Sequence, residues 1–162
     1  MPYSTHPIAD YTPAQTLPQH LDHKPVYALP YEHFDGMYAG NTDMRYISVG
    51  IAQYDSDHVS IKTMRHSGNR WTRQAEELPL HRVVDTTLFL AKALFDCCDD
   101  RVTIPANTFR NQNSEIRVSR EQRSYGEMAS YDAFLGQHAH ELKERFRALA
   151  EILDDLRREK KI

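Results

Sequence analysis

The segment Met44-Arg-Tyr-Ile-Ser-Val-Gly-Ile-Ala-Gln-Tyr54 decides how this chain folds. Read with a period of two, Ile47, Val49, Ile51 and Gln53 share one face, while Tyr46, Ser48, Gly50, Ala52 and Tyr54 share the other. The first face is apolar until Gln53 and is expected to look into the core. The second is built largely of small residues and would let a backbone, a partner or a ligand approach closely. Asp55-Ser-Asp-His58 then reads as a turn, after which Val59, Ile61 and Thr63 alternate with Ser60, Lys62 and Met64. Ser67-Gly68-Asn69 reads as a second turn into Arg70-Trp-Thr-Arg-Gln74, the expected third strand of an antiparallel meander.

Upstream, Pro25 to Leu29 reads as a short strand, and Pro30 to Asp43 as a loop with turn signals at Asp35-Gly36 and Gly40-Asn41. Pro2, Pro7, Pro13 and Pro18 interrupt any helix before Lys24, so residues 1–24 are expected to form an extended arm. Downstream, Glu76-Glu-Leu-Pro79 opens a helix that runs to about Cys98. Proline in a first turn costs no hydrogen bond, and acids there meet the helix dipole favourably. Leu80, Val83, Val84, Thr87, Leu88, Leu90, Ala91, Leu94 and Phe95 form its broad apolar stripe, expected to face the core. Arg82, Phe89 and Ala93 fall off that stripe and project away from the core, so Phe89 is expected to mark a subunit contact, to be an isolated surface aromatic or to lie under the N-terminal arm. Val102 to Pro105 is a weak strand, Ala106 to Asn113 a polar loop, and Ser114 to Arg120 an edge strand. From Ser130 to Glu159 apolar residues recur at spacings of three and four, which predicts a long amphipathic helix. The expected architecture is a single α+β domain over residues 25–162. In it, an antiparallel sheet of about four to five strands packs against two long helices.

Bulk properties narrow the function classes. At 162 residues the chain is of single-domain size, and its formal net charge of −3 gives no general attraction to nucleic acid or to an anionic membrane. Cys97 and Cys98 are the only cysteines and are adjacent, so they cannot staple distant segments and are expected to be half-buried thiols near a helix end. No basic stretch followed by an apolar run opens the chain, and no apolar run approaches the roughly 20 residues of a membrane helix, so the cytoplasm is the expected compartment.

The polar residues are densest from Arg65 to Asp85. Arg65, Trp71, Arg73, Gln74, Glu77, His81, Arg82 and Asp85 surround an expected strand-to-helix junction, with Asp35 and Asp43 as acidic partners from the preceding loop. Arginine forks bind carboxylates or phosphates, tryptophan stacks on planar rings, and a helix N-terminus welcomes an anion. These ten residues form the candidate ligand site. Glu77, His81 and Asp85 lie four apart on one helix flank, an acid–His spacing that could also hold a transition metal. The HExxH spacing is absent, and His81 is expected to bond Glu77 or Asp85 instead, so neither a metal nor another cofactor is expected. No nucleophile elbow and no glycine-rich phosphate loop is present.

The stretch Trp71-Thr-Arg-Gln-Ala-Glu-Glu-Leu-Pro-Leu-His-Arg82 resembles the signature of a bacterial family of unknown function. Asp35-Gly-Met-Tyr-Ala-Gly-Asn-Thr-Asp43 and Ser48-Val-Gly-Ile-Ala-Gln53 resemble the same pattern. The resemblance implies no reaction and no ligand. Three readings therefore compete. The first is a small cytosolic binding or interaction module for an anionic or nucleotide-like ligand. The second is a hydrolase or phosphodiesterase using Glu77, His81 or Asp85 with Asp43. The third is a structural subunit of a homo-oligomer, a homodimer being the expected partnership.

Overall fold

The computed structural model describes residues 11–72 and 80–162. The class is α+β, with five antiparallel strands and two helices in the order β1 (Lys24–Pro30), β2 (Met44–Ile51), β3 (Val59–Arg65), α1 (Leu80–Phe95), β4 (Arg101–Ile104), β5 (Ile116–Ser119) and α2 (Tyr125–Arg158). The strands divide between two sheets. One has the order β1-β2-β3 and the other pairs β4 with β5. The third meander strand expected over Arg70–Gln74 reduces, within the described residues, to a single bridge between His66 and Trp71.

β2 is the centre of the larger sheet. Its register sets Tyr27 opposite Val49 and Leu29 opposite Ile47 on one side, and Ile61 opposite Val49 on the other. Ile47, Val49 and Ile51 enter the main core with Phe89, Val102, Ile104 and Tyr131. The face of small residues is buried as well, because the segment before β1 lies over it. Leu17 and Leu21 pack with Ala28, Tyr46, Met64 and Trp71, and the Tyr46 hydroxyl donates to the Gln15 carbonyl at 3.0 Å. Gly50 is where the backbone comes closest: a Cβ there would lie 2.1 Å from the Lys24 carbonyl oxygen.

The small sheet joins the large one through the Glu121 N–H, which donates to the Val26 carbonyl at 2.7 Å. Its connecting loop is organised by buried Gln112, whose side-chain oxygen accepts from the N–H groups of Thr108 and Phe109 while its nitrogen donates to the carbonyls of Pro105 and Ser114. That pins Phe109 onto Phe34, with ring centroids 5.8 Å apart.

α1 docks only partly as expected: Leu88, Leu90 and Leu94 of the apolar stripe are partly buried against the core, but the most buried side of the helix is another one. Arg82, Phe89 and Ala93 are its buried residues, Phe89 completely so, whereas Leu80 is 86% exposed and Val83, Val84 and Phe95 are exposed too. Phe89 is therefore a core residue and no subunit contact. The periodicity failed here because the helix is apolar on two sides. The sheet takes the narrower one, whose single charge, Arg82, is neutralised by a residue far away in sequence. Cys97 and Cys98, expected to be half-buried, are both exposed, although the Tyr27 hydroxyl lies 2.9 Å from Cys97 Sγ.

α2 begins five residues earlier than the periodicity predicts, at a capping box. The Ser124 hydroxyl accepts from the Glu127 N–H while the Glu127 carboxylate accepts from the Ser124 N–H. Met128, Tyr131 and Leu135 seat its first part against the core. Among the described residues no helix is long and apolar enough to cross a membrane.

Candidate functional site

Apart from Arg73, Gln74 and Glu77, which are outside the described residues, the ten residues read as one site fall in three separate places: Asp35, His81, Arg82 and Asp85 in one, Trp71 in another, and Asp43 with Arg65 in a third. The first place is a knot around Asp35. This carboxylate sits in the loop after β1 and is fully buried. Its Oδ1 accepts from Arg82 Nε at 2.9 Å and its Oδ2 from Arg82 Nη2 at 2.7 Å, a two-point fork. The Thr42 hydroxyl donates to Oδ2 at 2.6 Å, and His81 Nε2 lies 2.8 Å from Oδ1. His81 thus bonds Asp35 through this nitrogen; of the two partners expected for it, Glu77 lies outside the described residues and Asp85 accepts from Tyr31 instead. Its ring rests on Gly36, where a Cβ would come within 2.9 Å of it, so glycine is required by the close approach and by a φ of +53°.

The electrostatics follow from these contacts. Burial would raise the Asp35 carboxyl, but the hydrogen bonds from Arg82, Thr42 and His81 together outweigh it and hold the pKa below the ordinary carboxylate value. The Arg82 guanidinium is pushed up, first by its bond to Asp35. Asp85, one turn beyond His81, accepts from the Tyr31 hydroxyl at 2.5 Å, and burial nonetheless raises its pKa. Every acid of the knot is engaged. The loop after β1 is thereby bolted to the first turns of α1, and this is the chemistry of a strut.

Asp43 and Arg65 form a separate pair at the end of β3, 3.6 Å apart. Among the described residues no three of His, Cys, Asp and Glu group in a way that could hold a metal ion.

The second place is a cleft of about 750 Å³ on the other side of the large sheet, lined by His20, Leu21, His66, Asn69, Arg70, Trp71 and Thr72. The turn after β3 builds it. Gly68 at φ +99° reverses the chain, and its N–H donates to His66 Nδ1 at 3.1 Å, which leaves the neutral ring with its proton on Nε2. The Trp71 ring stands edge-on to His66 at 5.0 Å and leans on Tyr46 at 6.3 Å, so it is fixed from behind while remaining partly open to solvent. Arg70 and Asn69 stand exposed at the mouth.

A family model described as Family of unknown function (DUF6530) matches residues 15–158. The chain belongs to this family. The span shared with DUF6530 takes in the knot and the cleft and leaves out residues 1–14 and 159–162. No curated protein and no solved structure matches it.

Several residues of these two places escape a reading of the sequence. Tyr31 and Thr42 complete the knot, and Tyr31 lies 54 residues from Asp85, a distance at which no local pattern speaks; Asp35, by contrast, is the acidic partner that the sequence offers Arg82, 47 residues on. His20, Asn69 and Arg70 line the cleft. Asn69 and Arg70 fall in the polar stretch from Arg65 to Asp85, but His20 arrives only because the segment before β1 crosses the sheet.

Proposed function

We propose that the chain is a small-ligand-binding module and that its site is the Trp71 cleft, which takes an anionic ligand bearing a planar ring. One observation carries the reading. A cleft of ligand size sets a braced tryptophan beside an arginine, an asparagine and two histidines. The volume lies within the range of small-molecule sites, and the side chains offer a stacking face, a cation and hydrogen-bond donors. The Asp35 knot, by contrast, presents no carboxylate or imidazole nitrogen free of structural duty at Asp35 or at His81 Nε2, and the acid–His hydrolase reading draws no support from it. This narrows the expected site from the whole Arg65–Asp85 region to its first part.

Trp71 is the only tryptophan of the chain, so its emission reports on the cleft directly. Adenosine monophosphate is the probe, with adenosine and inorganic phosphate as separate arms. Saturable quenching by the nucleotide, weaker with either part alone and reduced about tenfold in affinity by Arg70→Ala, is the expected result. If a panel of nucleotides and aromatic carboxylates leaves the emission and the melting temperature unchanged up to millimolar concentration, the reading is wrong.

A further inference from the structure

The second half of α2 carries an apolar seam that is largely exposed among the described residues. Leu142, Phe146, Leu149, Leu153 and Leu156 follow one another at spacings of four, three, four and three, the heptad pattern of a coiled-coil helix. Past Phe146 every residue of the helix except Leu156 is exposed; Ile152, beside the seam, is 59% exposed and Leu153 44%. Phe146 meets Phe95 of α1 with ring centroids 5.4 Å apart. Leu80, Val84 and Phe95 lie on one side of α1, one and three turns apart, so its uncovered face is continuous with the seam.

We infer that this joint surface binds a second copy of the chain, the α2 helices pairing along their seams. Three features favour a copy of the same chain as the occupant. The seam is self-complementary: in an antiparallel two-fold pair centred between Arg147 and Ala148, Phe146 faces Leu149 and Leu142 faces Leu153, with no polar layer between them. The charges of this half balance, by the pairs Glu141–Arg145, Glu144–Arg147, Asp154–Arg157 and Asp155–Arg158 and by Lys143 and Glu151 of opposite sign, so two copies meet without net repulsion and no oppositely charged partner is called for. The area also fits. The apolar side chains exposed on the two helices amount to on the order of 700 Å², above the patch of most monomers and near the roughly 800 Å² each partner contributes to a standard interface. The surface is distinct from the Trp71 cleft, and the inference does not rest on the ligand reading.

Sedimentation equilibrium of the full chain over the micromolar range tests it. The unmodified chain is expected to be a dimer. The pair Leu149→Glu and Leu153→Glu is expected to raise the dissociation constant at least about 30-fold with helical content retained, since both positions lie outside the core. The milder pair Leu149→Ala and Leu153→Ala gives the same direction should the charged pair aggregate. A chain that stays monomeric throughout overturns the inference, and so does a dimer whose constant neither pair moves.

Discussion

Asp35 shows how one side chain can settle where a helix docks. Its carboxylate is fully buried and, with Thr42 of the same loop beside it, holds Arg82 and His81 of α1. Substituting Asp35→Asn keeps the shape but removes the charge and leaves the Arg82 guanidinium buried without a counter-ion. A loss of about 3 kcal/mol or more is expected, read as a lower urea midpoint at unchanged slope. A loss below about 1 kcal/mol would mean that Arg82 finds water instead and that the knot is not a strut. His23 makes a second prediction at this scale. It is buried, with Nε2 2.9 Å from the Ser48 hydroxyl, and its pKa is lowered from 6.5 to about 4, first by burial and then by Lys62 and Arg123. The unfolded chain therefore binds a proton at His23 before the folded one does as the pH falls. The stability contributed by neutral His23 is complete above about pH 6.5 and drains away toward pH 4, amounting to up to about 3 kcal/mol. Urea titrations at steps between those limits should show this slope, and His23→Asn should flatten it. A His23 imidazole resonance, assigned by its loss in His23→Asn, that titrates near 6.5 in the folded chain would contradict this.

At the scale of elements, legibility tracks whether the signal is local. β2 and β3 were readable because alternation at Ile47, Val49 and Ile51 and at Val59 and Ile61 is a property of neighbouring residues. So was the long last helix, although its start is set by the Ser124 and Glu127 capping box, five residues before the apolar period begins. α1 was legible as a helix and illegible in its orientation. A side bearing Leu80, Val84 and Phe95 outweighs one bearing Arg82, Phe89 and Ala93 on any hydrophobicity count, yet the second is buried. Only the Asp35 fork, supplied from before β2, makes Arg82 acceptable inside. The same reasoning explains the candidate site. Its residues were recognised by type, but type cannot say that Asp35 and Trp71 fall on different sides of one sheet. The misplaced stripe was also informative: apolar residues that do not face their own core ask what else they face.

For the molecule as a whole, the two sheets and the first part of α2 form one body, joined by the Glu121–Val26 backbone bond, the Phe34–Phe109 stack and the seating of Met128, Tyr131 and Leu135. α2 outruns that body. At about 1.5 Å per residue its 34 residues span roughly 50 Å, and beyond Phe146 every residue of it but Leu156 is exposed. An isolated helical turn gains little from backbone hydrogen bonds alone, so this part should open locally far more often than the part under Tyr131. Hydrogen exchange read by peptide mass should then depend on protein concentration in one region only. At dilutions where copies separate, amides 147–158 are expected to exchange much faster than amides 131–142. At high concentration the first group should slow toward the second while the body stays unchanged. Protection of 147–158 that is high and independent of concentration would mean that the helix stands by itself, its four internal ion pairs sufficing. Uniformly fast exchange at every concentration would mean that no second copy covers it.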